Sequence, residues 1–149
     1  MDPACLRSDA ATLLTALTPG KKRRSTIRGI LSTWDMVQVG MPSRETLEAT
    51  AGALSAAKLI TIDDDWRLSL TAEGARIRAI PSGWAGMRTL PSVIEKHLPP
   101  LATDPRVTLP AELYDSARAD HLRPRRGTPR GLRWFLEWGQ PSWRRNRDR

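Results

Sequence analysis

Apolar residues recur with helical period along the first part of this chain, then alternate, then return to helical spacing. Ala10, Leu13, Leu14 and Leu17 fall at i, i+3, i+4 and i+7, one face of a short helix that Thr18-Pro19-Gly20 ends. Ile27, Ile30, Leu31, Trp34 and Val37 repeat that spacing over Thr26 to Val39. Ser25 stands where a cap would accept an orphan N–H, and Gly40-Met41-Pro42 stops the run. Ser43 caps a third helix reaching about Lys58, with Leu47, Ala51 and Leu54 as its inner stripe. Around that stripe Ala49, Gly52, Ala53, Ala56 and Ala57 are small, which permits close helix–helix approach.

Two short alternating runs follow, Leu59-Ile60-Thr61-Ile62 and Trp66-Arg67-Leu68-Ser69-Leu70, with three aspartates turning the chain between them. A two-residue turn at Asp64-Asp65 would set Ile62 against Arg67. A three-residue loop, Asp63 to Asp65, instead pairs Ile62 with Trp66 and Ile60 with Leu68, keeping the apolar side chains together, so the pattern predicts the longer loop. Ile60, Ile62, Trp66, Leu68 and Leu70 then share one buried side. Thr71 caps a further helix through about Ile80, where Pro81 intervenes. Leu90, Val93, Ile94 and Leu98 predict a short helix ended by Pro99-Pro100. Leu109, Leu113, Tyr114 and Ala117 predict another with Pro110 in its first turn, and a last one runs from Pro129 to Trp138. The fold class is mostly α with a small β-hairpin (α+β).

Composition sharpens this into a compact first part and a looser second. Of twelve prolines, three precede residue 81. The net charge of +8 is segregated. Lys21, Lys22, Arg23, Arg24 and Arg28 stand together without an acid, whereas residues 43–80 carry five basic and six acidic side chains. From Arg118 onward there are ten arginines against three acids. Such blocks attract polyanions, nucleic acid above all, or an anionic membrane surface. The single cysteine, Cys5, has no partner for an internal disulfide, and no run approaches the ~18 apolar residues of a spanning helix. The beginning of the chain has no signal-peptide layout, so a cytoplasmic location is expected.

The order helix, helix, helix, hairpin, helix resembles a winged helix-turn-helix with additional C-terminal helices. Its most specific element is Leu68-Ser69-Leu70-Thr71-Ala72-Glu73-Gly74, which looks like the strand-to-helix junction closing the wing in regulators of the MarR and PadR type. Gly40-Met41-Pro42 to Leu59-Ile60 looks like their recognition helix and first wing strand. The chain is also similar to small, largely uncharacterised actinobacterial winged-helix proteins. The resemblance covers residues 9–80; residues 81–122 form a helical extension that packs on this unit or on a second subunit, and 123–149 an Arg/Trp-rich tail.

The resemblance implies duplex DNA as partner and a role as a small transcriptional regulator. Its groove-facing residues map to Ser43, Arg44, Thr46 and Thr50, with Arg67 on the wing, and Arg44 has the planar fork that reads a guanine edge. Against that grip, Glu45 and Glu48 flank Arg44, and Asp63, Asp64 and Asp65 put three like charges where phosphates should lie. The basic blocks are the stronger phosphate candidates: Lys21, Lys22, Arg23, Arg24 and Arg28 beside the second helix, Arg125 and Arg126 in the tail. The plain reading of these features is a polar turn, acids favouring a helix N-terminus, and solvated charge runs.

The alternative is a non-enzymatic winged-helix interaction module that forms a homodimer or docks a protein partner through the C-terminal Trp/Arg-rich segment. In that segment Arg130, Arg133, Trp134 and Glu137 recur at helical spacing beside Leu132, Phe135 and Leu136. It can fold back onto the core, lie in a partner's groove or rest at a membrane interface. Catalysis has no candidate: His97 and His121 lack further ligands at zinc spacing, and no nucleophile motif or phosphate loop occurs. No metal or cofactor is expected.

Overall fold

The computed structural model describes residues 2–17, 24–81, 86 and 88–123. Among the described residues, six helices and one two-stranded antiparallel sheet make a mostly helical α+β fold: α1 Pro3–Ala16, α2 Ile27–Gln38, α3 Arg44–Ala56, β1 Ile60–Ile62, β2 Leu68–Leu70, α4 Ala72–Ala79, α5 Leu90–Glu95 and α6 Ala111–Leu122. Helix α1 packs on both α2 and α3, around Leu13, Leu14, Ile30, Leu31, Trp34, Leu47 and Leu54, all buried. The sheet closes one side of this core with Ile60 and Leu68 buried.

Capping follows the sequence closely, with one correction. The Ser43 hydroxyl accepts from the Thr46 amide at 3.1 Å and the Thr71 hydroxyl from the Gly74 amide at 3.1 Å. At the start of α2, however, Thr26 rather than Ser25 is the cap, accepting from Gly29 N at 3.2 Å. Ser25 is one residue too early because its backbone is committed elsewhere. Its N–H donates to the Leu68 carbonyl at 2.8 Å and its carbonyl accepts from Leu68 N at 2.9 Å, a single bridge that adds a third chain to the ribbon. α1 also begins earlier than its apolar stripe suggests, because Asp2 caps it and Pro3 sits in its first turn.

The hairpin register is the second correction. Ile60 pairs with Leu70, Thr61 with Ser69 and Ile62 with Leu68. The loop centres on Asp64-Asp65-Trp66, one position further on than the pattern predicts. Asp63 decides this. Its carbonyl accepts from Trp66 N at 3.0 Å, and its carboxylate Oδ1 from Asp65 N at 3.0 Å and Arg67 N at 2.8 Å. Trp66 closes the turn in the left-handed region, with φ 56. The predicted and observed registers both pair even-numbered positions with even-numbered ones, so the burial pattern is the same in both. Trp66 lies outside the ladder and is buried by a different contact, described below, and Ile62 is half-buried.

Just past α3, Lys58 takes φ 60 while Lys58 N and Leu59 N return to the Ser55 and Leu54 carbonyls, each at 3.0 Å. The later helices fold onto the first three. α5 packs on α1, where Arg7 donates to the carbonyls of Glu95 (2.7 Å), Leu98 (3.0 Å) and Pro99 (2.9 Å). α6 packs on α2, with Tyr114 and Ala117 buried and His121 Nε2 3.1 Å from Asp35 Oδ2. The helix predicted at Pro129 to Trp138 lies outside the described residues.

Candidate nucleic-acid interface

α3 presents less of itself than its sequence suggests. Thr50 is fully buried and its hydroxyl donates to the Thr46 carbonyl at 2.6 Å, which corrects its assignment as a surface contact. Ser43 and Thr46 bond to each other around the cap, hydroxyl to hydroxyl at 2.9 Å. Arg44 is half-buried: its Nη1 donates to the Leu109 carbonyl at 3.0 Å, and Nη2 lies 3.5 Å from Glu45. One turn on, Glu48 Oε2 accepts from the Leu109 amide at 2.6 Å. Positions i and i+4 of α3 thus hold both polar groups of a single peptide residue.

The segment Asp104–Pro110 is the reason. It crosses α3 as a turn at Pro105-Arg106 followed by an irregular stretch, with Leu109 1% exposed and Gly52 beneath the segment. A side chain at Gly52 would meet the Asp104 carbonyl oxygen at 3.2 Å and Val107 at 3.3 Å. From the hairpin, the Trp66 indole Nε1 donates to the Thr108 carbonyl at 3.0 Å. Beyond the crossing, the Tyr114 hydroxyl donates to the Pro42 carbonyl at 2.6 Å. A made hydrogen bond of this kind contributes about 1 kcal/mol net, whereas burying Leu109 contributes roughly 2 kcal/mol. The leucine holds the crossing down, and the polar contacts set its register. What remains open on α3 and its cap is Ser43, Glu45 and Ala56, with Thr46, Ala49 and Ser55 half-buried beside them; the one cation there, Arg44, keeps 37% of its side chain exposed while bonded to Leu109.

At the start of α3, Arg44 and Arg118 line a cleft together with Ser43, Glu45 and Asp115. Another group of arginines lies by the hairpin. Arg24 and Arg67 line one cleft with Thr61 and Ser69, the cross-strand pair on the sheet's outer face. Arg67 and Arg28 line a second, bounded by Thr26 at the start of α2 and by Ser116 and Asp120 of α6. Arg67 is common to both clefts, so Arg24, Arg67 and Arg28 border two adjoining clefts. Acids are interspersed: Arg24 Nη1 lies 3.1 Å from Asp63 Oδ2, and Asp64 and Asp65 border the second cleft. Asp63 is already engaged by its own loop. The Arg67 amide first, then the Asp65 amide and the Arg24 charge, hold its carboxyl below the usual carboxylate range.

Lys21, Lys22, Arg23, Arg125 and Arg126 lie outside the described residues. Sequence reasoning missed Glu48 as a backbone acceptor, Trp66 as a donor and the Thr61–Ser69 pair. The indole N–H of a buried tryptophan demands a partner, which was the one available signal. Elsewhere, Cys5 is exposed and Asp9 beside it pushes its thiol above the ordinary range, leaving it protonated. Among the described residues no group of three or more His, Cys, Asp or Glu is placed to hold a metal ion, and no helix is long and apolar enough to cross a membrane. Compared with protein-family models, curated proteins and solved structures, the chain matches none.

Proposed function

We propose that this chain is a winged-helix nucleic-acid-binding protein, a small cytoplasmic DNA-binding regulator, that meets the duplex along the Arg24–Arg67–Arg28 edge rather than through α3. The observation that carries this reading is the position of Arg67, shared by two clefts whose other cations are Arg24 and Arg28. Thr61 and Ser69 hydroxyls beside Arg24 suit phosphate oxygens, and in sequence Lys21, Lys22 and Arg23 immediately precede Arg24. Contacts of this type position a protein on the backbone and carry no base preference, whereas on α3 the cation Arg44 is already bonded to the Leu109 carbonyl and stands beside Glu45.

Salt titration of random-sequence duplex binding tests it. We expect measurable affinity at low salt with a steep negative log–log slope. The triple variant Arg24→Ala, Arg28→Ala, Arg67→Ala should flatten that slope by about two to three units, because each neutralised phosphate contributes ~0.9. Truncation before Pro124 should flatten it further. Absence of binding at low salt would reject the proposal.

A second reading, an interaction module that pairs with itself or another protein, is favoured by the exposure of Met36, Val39, Leu113 and Leu122 on or beside α2 and α6. Sedimentation at high concentration separates the two: a monomer that binds duplex supports the first, and a dimer without duplex affinity the second.

A further inference from the structure

Three consecutive backbone groups of the 104–110 segment, the Thr108 carbonyl, the Leu109 amide and the Leu109 carbonyl, are each taken by a side chain from the body of the fold: Trp66, Glu48 and Arg44. The geometry points to Asp104–Pro110 as an autoinhibitory strap across α3, a stretch of the chain's own backbone that ties down the Arg44 and Glu48 side chains beside the open positions of that helix and keeps Arg44 from base edges. This rests on the winged-helix reading of α3.

The chemistry of the tied-down Arg44 is that of a reader. Arg44 stands in the first turn of α3, where a planar fork can meet a guanine O6 and N7, and its Nη1 is instead satisfied by a carbonyl acceptor. A peptide carbonyl and a guanine edge compete for the same donor. Glu48 favours the closed state: with the strap in place its carboxylate is occupied by an N–H, and without it the charge would face and repel the duplex. The strap is also built to lift as a unit. It has no helix or strand hydrogen bonds of its own, and Pro105 and Pro110 stand near its two ends. Its internal ties are the Asp104 carboxylate to Arg106 N (3.0 Å) and Nε (3.1 Å), with the Asp104 carbonyl taking Val107 N at 3.3 Å. Closed, it leaves sequence-neutral phosphate binding through the arginine edge. Open, it adds base readout by Arg44.

Two full-length variants open the strap by different routes. Glu48→Ala with Trp66→Phe removes two of its three polar ties and leaves Arg44 in place. Leu109→Asp puts a carboxylate into the apolar seat. Loss of the proton–proton contact between Val107 of the strap and Gly52 of α3, seen by NMR, reports opening, and protected amides in α1, α2 and α3 report that the body stays folded. Each protein is then used to select from a pool of random-sequence duplexes. The wild type should enrich no sequence, and an opened variant should enrich sites bound about tenfold tighter than the pool average. Adding Arg44→Ala should abolish the enrichment. Opening without enrichment overturns the proposal, as does base preference already present in the wild type, or a strap that neither variant releases. Loss of all duplex binding in the wild type would instead reject the arginine-edge reading of function.

Discussion

Gly74 carries the tightest constraint in the described residues. A methyl group at that position would fall 1.9 Å from the Leu59 carbonyl oxygen, a backbone atom that cannot swing aside. The same carbonyl accepts from Thr71 N at 3.0 Å, and the Thr71 hydroxyl donates to the Lys58 carbonyl at 2.7 Å. The Thr71-x-x-Gly74 spacing is therefore a lock between the first turn of α4 and the residues just past α3. Gly74→Ala should destabilise by about 1–3 kcal/mol or more, read as a lower urea midpoint with unchanged slope. This much was legible, since the cap and the glycine stand at a spacing that has a local cause. Trp66 was not. A bulky residue in the left-handed region runs against local preference, at a cost of order 1 kcal/mol, offset by the Asp63 turn and by an indole contact to a carbonyl 42 residues away that the sequence does not mark.

The hairpin shows what an element's pattern can and cannot specify. Alternation assigns the buried face, because that follows from side-chain parity. It cannot place the loop, because that is decided by the Asp63 carboxylate reaching two amides, a contact with no periodic signature. The same contact makes the element sensitive to acid. Asp63 has a folded-state pKa below its ordinary value of 3.8, so the unfolded chain binds the proton more readily. The stability it contributes is fully present above that value and is lost as pH falls through the lower, folded-state value. Thermal midpoints of the wild type and Asp63→Asn should stand apart at neutral pH, with the wild type higher, and converge as the pH is taken below the ordinary carboxylate range. A gap that persists in acid would assign the difference to something other than charge.

On the scale of the whole molecule, the segregated charge was readable directly from residue order, and it pointed to the cluster of Arg24 and Arg28 that the third-helix comparison passes over. The placement of residues 81–122 was not readable. Their apolar stripes show that α5 and α6 each have a face to bury, but a stripe does not name what covers it. Here α1 and α2 of the same chain do so. The decisive contacts are side chains seeking main-chain carbonyls, Arg7 at Glu95, Leu98 and Pro99 and Tyr114 at Pro42, whose targets leave no mark in the sequence. Replacing Arg7 by Ala should cost about 1.5–3 kcal/mol, measured by chemical denaturation, through carbonyls left without a charged donor.

That guanidinium has a remote consequence. It fixes the chain at Pro99, so only a short stretch hangs between this anchor and the Leu109 seat. Cut the anchor, and the chain beyond the buried Ile94 and Leu98 gains slack before the Leu109 seat, so the entropic cost of re-closing it rises slowly with every residue freed. Position 7 stands on α1, which packs on both α5 and α3, so Arg7→Ala should raise how often the proposed strap unmasks Arg44.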